Sequence, residues 1–138
     1  MRQTYHYAQR ELVYQAVSQW SNRWMTRNAK MACVEIGALG YYLRSDIELL
    51  DLYGLSRIKE DRALSRVGIL EKYKPACLVY NQKKVALLES VYKDFEQYTW
   101  QQLGGKMVGV RKELIDDNNI AFDQLTNIYK QLKTEKGL

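Results

Sequence analysis

From residue 3 to residue 27 the apolar positions Tyr5, Ala8, Leu12, Val13, Ala16, Val17, Trp20 and Trp24 recur at three- and four-residue intervals. That is the period of a helix with one buried face, and Gln9, Arg10 and Gln19 fall on its wet side. A second helix is predicted over 29–43, where Ala29, Cys33, Gly37 and Gly40 form a stripe of small residues suited to close packing. Ser45 to Glu48, "SDIE", reads as a capping box opening a short helix from Asp46 to Tyr53, with Gly54 as a left-handed stop. A polar connector then leads to a helix over 61–73 that ends before Pro75. Leu78, Val85, Leu88, Val91, Tyr92, Phe95 and Tyr98 make the longest apolar stripe. Read as one helix over 77–103, it would be about 40 Å long and stop at Gly104-Gly105. A further helix is predicted over 107–116. The last one, capped by Asn118 or Asn119, buries Ile120, Leu125, Ile128, Tyr129 and Leu132 and leaves a frayed tail.

This pattern predicts an all-α, compact helical bundle of four to six helices in one domain, 1–138, with long helices near 3–27 and 77–103. Helix 1 is expected to lay its Leu12–Val17–Trp20 face on the 85–98 stripe. The presence of only 1 Pro and 8 Gly agrees with helices, because chains of tight turns use more of both. Cys33 and Cys77 stand apart among apolar neighbours. They read as buried, reduced thiols of a cytoplasmic protein, not as a disulfide or zinc framework. The first residues hold no secretion signal, and the apolar run 31–43 is too short to span a bilayer and contains Glu35.

Charge adds a direction. The net charge is +5, and residues 1–34 hold Arg2, Arg10, Arg23, Arg27 and Lys30 against Glu11 alone. The other 104 residues balance, with 16 basic and 15 acidic side chains. A local excess of this kind favours phosphate or an acidic protein surface as partner. It coincides with "SQWSNRWMTRNAK", residues 18–30, where Trp20, Arg23, Trp24 and Arg27 are helical neighbours and Lys30 follows. Functionally this is a candidate nucleic-acid site of stacking rings and guanidiniums. Structurally, the two tryptophans would close the core while Arg23, Arg27 and Lys30 satisfy the negative end of the helix.

A weaker anion-binding candidate is "LGGKMVGVRK", residues 103–112, with Lys106, Arg111 and Lys112. Met107 breaks the spacing of a phosphate-binding P-loop, so a helix stop and restart is the plainer reading. Lys72, Lys74, Lys83, Lys84 and Lys93 alternate with Glu71, Glu89 and Asp94 as a solvated face does and receive no role. The single histidine, His6, has no catalytic companions in the sequence. "DDNN" at 116–119 lacks the spacing of a calcium loop. Glu35 is a candidate buried carboxylate. No metal, cofactor or catalytic residue is expected. The expected function is a non-enzymatic, mildly basic protein that binds nucleic acid or serves as a small subunit of a nucleoprotein complex. The alternative is a helical protein–protein adaptor or inhibitor with Tyr/Trp anchors. Partners would be nucleic acid or an acidic protein surface, not a membrane, with a homo-oligomer or larger complex open.

Overall fold

The computed structural model describes residues 2–53, 58–118 and 120–138, and it is not all-α. Five strands, β1 (Lys30–Cys33), β2 (Glu48–Asp51), β3 (Cys77–Asn81), β4 (Tyr98–Leu103) and β5 (Lys106–Arg111), form one mixed sheet in the order β2-β1-β3-β5-β4. β1 runs parallel to β2 and β3, whereas β5 runs antiparallel to β3 and β4. The helices are α1 (Arg2–Trp24), α2 (Ile36–Tyr42), α3 (Arg66–Tyr73), α4 (Val85–Val91), α5 (Lys112–Asn118) and α6 (Phe122–Glu135).

The strands escaped the periodicity because both faces of the sheet are covered. Met31, Cys33, Cys77, Val79, Val108 and Val110 point to one side and pack with Leu12, Val13, Val17 and Trp20 of α1 and Leu125, Ile128 and Leu132 of α6. Ala32, Leu78, Tyr80 and Tyr98 point to the other side, against Ile69 and Leu70 of α3, Leu88 of α4 and Tyr92. A strand buried on both faces is a continuous apolar run, with no alternation to betray it. "MACV" and "CLVY" therefore read as helix.

Each misread element has a local reason. The predicted 29–43 helix is β1 followed by α2. The predicted 46–53 helix is β2: Glu48 sits beside Lys30 in the parallel register, and its carboxylate pairs with the Lys30 ammonium at 3.2 Å instead of closing a capping box. Gly54 lies outside the described residues. The 61–73 helix begins later, at Arg66, where Ser65 Oγ accepts from the Gly68 N–H at 3.0 Å. It does stop before Pro75, with Lys74 left-handed. The 77–103 helix breaks into β3, α4 and β4 joined by short 3-10 turns. Its 85–98 stripe lies on the face opposite α1, so the Leu12–Val17–Trp20 surface meets α6 and the sheet instead.

Gly104-Gly105 is neither a helix stop nor a restart but the turn of the β4–β5 hairpin. Gly104 has φ +59, and a Cβ there would stand 2.7 Å from Val13 Cγ2 of α1. The 107–116 helix is thus β5 running into α5. Asn118 ends α5, Asn119 lies outside the described residues, and α6 starts from Ala121 without a side-chain cap. α6 buries Leu125, Ile128 and Leu132 as its spacing requires. The tail does not simply fray, because the Leu138 N–H bonds Lys133 O at 2.8 Å. Among the described residues no helix is long and apolar enough to cross a membrane.

Candidate functional site

β1 and β3 begin at the same end of the sheet where β5 finishes, and the backbone continues the sheet one residue further. The Ala76 N–H donates to Lys30 O at 2.9 Å, and the Arg111 N–H donates to Ala76 O at 3.2 Å. The end of α1 and the start of α5 rise around this edge and leave a cleft of about 490 Å³. The α1–β1 link contributes Trp24, Met25, Thr26, Asn28, Ala29 and Lys30, the approach to β3 contributes Tyr73, Lys74 and Ala76, and the β5–α5 junction contributes Arg111, Glu113 and Leu114. Three cations from three distant stretches thus meet over an apolar floor.

The hydrogen bonding around the cleft is incomplete. Arg111 Nε donates to Glu113 Oε1 at 2.7 Å, which holds the Glu113 carboxyl below its usual range, and the guanidinium carbon lies 5.4 Å from the centre of the Tyr98 ring. Arg111 Nη1 is nevertheless buried with no partner among the described residues, and so is Trp24 Nε1. A buried donor left unmade costs about 1–3 kcal/mol. Two backbone positions are also held in an unusual state. Asn28 at φ 63 and Lys74 at φ 46 are the non-glycine residues with positive φ among the described residues, and both line this cleft. Asn tolerates that region; Lys does so under strain.

The fate of the α1 end decides what its basic residues are for. Arg44 donates from Nη1 to Asn22 O at 2.8 Å and from Nη2 to Met25 O at 2.7 Å, while its Nε pairs with Asp46 at 2.5 Å. Arg44 therefore satisfies one carbonyl of the last turn, that of Asn22, and the Met25 carbonyl just past the helix. Arg23 and Arg27 are exposed and have no ion pair among the described residues.

The residues singled out in the sequence are sorted by this geometry. Trp20 is fully buried: its N–H donates to Ala121 O at 3.3 Å, and its ring packs on Phe122 at 5.4 Å, so no face is open to a ligand. Trp24 stands edge-on to Trp20 at 5.3 Å and lines the cleft with Lys30 and Arg111. Lys112 is exposed beside Arg111. Lys74, assigned to an ordinary solvated face, is a cleft residue; its signal was the helix stop at Lys74-Pro75, which fixes where the chain turns. Arg44 carries no sequence signal for this role, since the oxygens it meets at the end of α1 are backbone carbonyls.

Lys106 belongs elsewhere. At the opposite end of the sheet its Nζ lies 2.8 Å from Glu35 Oε1 and 2.5 Å from Asn81 Oδ1, and 5.6 Å from the Tyr14 ring centre. Arg10 meets the other Glu35 oxygen at 3.3 Å. These charges satisfy one another, as a buried polar network must. Close by, Cys33 Sγ accepts from the Glu35 N–H at 3.2 Å, and burial pushes its thiol up to about 12. The side chain of His6 lies outside the described residues, and no group of His, Cys, Asp and Glu among those described is placed to hold a metal ion.

Residues 3–126, which include every residue of the cleft, match the family described as Domain of unknown function (DUF8728), and the chain belongs to that family. No curated protein and no solved structure matches it.

Proposed function

We propose that this member of the family is a non-enzymatic nucleic-acid-binding protein, acting alone or as a small subunit of a nucleoprotein complex, and that its basic cleft is the contact surface. The observation that carries the proposal is the arrangement of unengaged cations. Lys74 on the cleft, and Arg23, Arg27 and Lys112 next in sequence to residues that line it, have no ion pair among the described residues, and they accompany the paired Lys30 and Arg111 of the lining. A phosphate backbone offers a matching row of acceptors and is attracted without any sequence-specific contact. Among the described residues, the cleft lining offers a ligand the cations Lys30, Lys74 and Arg111 and a single carboxylate, Glu113. The two unpaired, buried thiols fit a reducing compartment such as the cytoplasm.

The adaptor reading keeps one support. Tyr41 is 83% exposed, edge-on to Tyr42 at 4.9 Å, and would be an aromatic anchor for a protein partner. Salt separates the two readings. A labelled oligonucleotide titrated at several salt concentrations should lose affinity with a slope of ~0.7–0.9 per phosphate contact. The Arg23→Glu/Arg27→Glu variant, shown to be folded by circular dichroism, should bind more weakly and with a shallower slope. Equal binding by the variant would move the site elsewhere, and no binding by the wild type at low salt would end the nucleic-acid reading.

A further inference from the structure

Contact with the outside of a duplex asks only for a basic surface. It does not explain why the cations here surround a concavity or why an indole forms part of its lining. The chemistry of the cleft is mixed: Trp24, Ala76 and Leu114 are apolar surface, and Lys30, Lys74 and Arg111 are cations. A volume of about 490 Å³ falls in the range of sites for one small organic ligand, ~300–1,000 Å³. One nucleotide has both parts: a flat ring with acceptors on its edge, and a phosphate.

Resting on the nucleic-acid reading, we infer that the cleft receives one unpaired nucleotide, its base against Trp24 and its phosphate at Lys30, Lys74 and Arg111, and that the protein therefore prefers single strands to duplex. Bases in a duplex are stacked and paired, and reaching the cleft would require flipping one out against that stacking. An unpaired base carries no such cost, and stacking on an aromatic ring is tolerant of which base it is. The left-handed Lys74 fits the same picture. Its backbone strain is relieved by glycine, yet the chain keeps a lysine there, in the lining of the cleft.

The test uses the full chain and fluorescence anisotropy with three labelled probes at one low salt concentration: a short mixed-sequence DNA single strand, the same strand in duplex, and the same strand with abasic sites. The single strand should bind tighter than the duplex by about 5- to 150-fold, the equivalent of one stacked base. The abasic strand should fall to the level of the duplex, and this arm needs no variant. Trp24→Ala should weaken single-strand binding by more than duplex binding, so that the preference for the single strand is lost. Trp24→Phe, which keeps a ring, should retain most of the preference even if Trp24→Ala folds poorly. Lys74→Gly should raise thermal stability while weakening both single-strand and duplex binding, a divergence that a purely structural lysine would not give. Equal affinity for the three probes would overturn the inference and leave the basic cleft as a backbone contact. No binding to any probe would overturn the nucleic-acid reading and this inference with it.

Discussion

Cys33 and Cys77 sit on the same face of neighbouring strands, fully buried and unpaired. This was legible in the sequence, since each lies in an apolar run without a partner nearby. Burial pushes each thiol from its ordinary 9.0 to about 12. Below the ordinary value both states hold the proton, and the thiols add no pH dependence. Above it the unfolded chain releases protons that the folded chain keeps, so stability falls as pH rises toward the folded value. The slope approaches 1.4 kcal/mol per pH unit for each thiol. Urea midpoints measured between about pH 9 and 11 should decline, and a Cys33→Ala/Cys77→Ala variant should decline less steeply. Trp20 and Trp24 show the limit at this scale. Four residues apart on one stripe, they are equivalent in the sequence. Phe122 and the Ala121 carbonyl, some hundred residues later, bury one of them.

α6 could be read because it turns one apolar stripe to the core, and α1 because its apolar positions recur at helical spacing, although its burial also takes in Tyr14, Ser18 and Ser21. The sheet could not, because its central strands β1 and β3 are short and apolar on both sides and helices that continue a plausible spacing follow soon after them. The stripe through Leu88 and Tyr92 is real, but it belongs to a helix of two turns, and its extension across β3 and β4 joined unrelated elements. Glycine placement holds the clearest consequence of the hairpin. Gly104→Ala places a Cβ 2.7 Å from Val13 in a left-handed residue, so it should destabilise the fold by about 1–3 kcal/mol. Gly105, whose Cβ would meet nothing within 4 Å, should accept alanine within about 0.5 kcal/mol. Thermal denaturation of the two variants checks the contrast. Equal losses would mean that the turn does not press against α1.

Across the whole molecule the two ends of the sheet differ in how their charges are spent. At one end Glu35 engages both Arg10 and Lys106, and Asn81 completes the set. At the other, cations outnumber acids around an open cleft. Half of this was visible beforehand: the basic block up to Lys30 stood out, and so did Arg111. Their meeting did not, because only the strand order β1-β3-β5 brings residues 30, 74 and 111 to one edge. Lys106 was grouped with Arg111 by sequence proximity, yet a strand of six residues carries them to opposite ends. The most direct measurement is therefore one of location. A single-stranded oligonucleotide carrying 5-iodouridine, bound at low salt and cross-linked by light, attaches to nearby aromatic rings, and digestion with mass spectrometry identifies the peptides. Binding in the cleft should place the adducts on Trp24 and Tyr73, which both line it. Adducts confined to peptides of the Arg10–Lys106 end, or none at all, would contradict it.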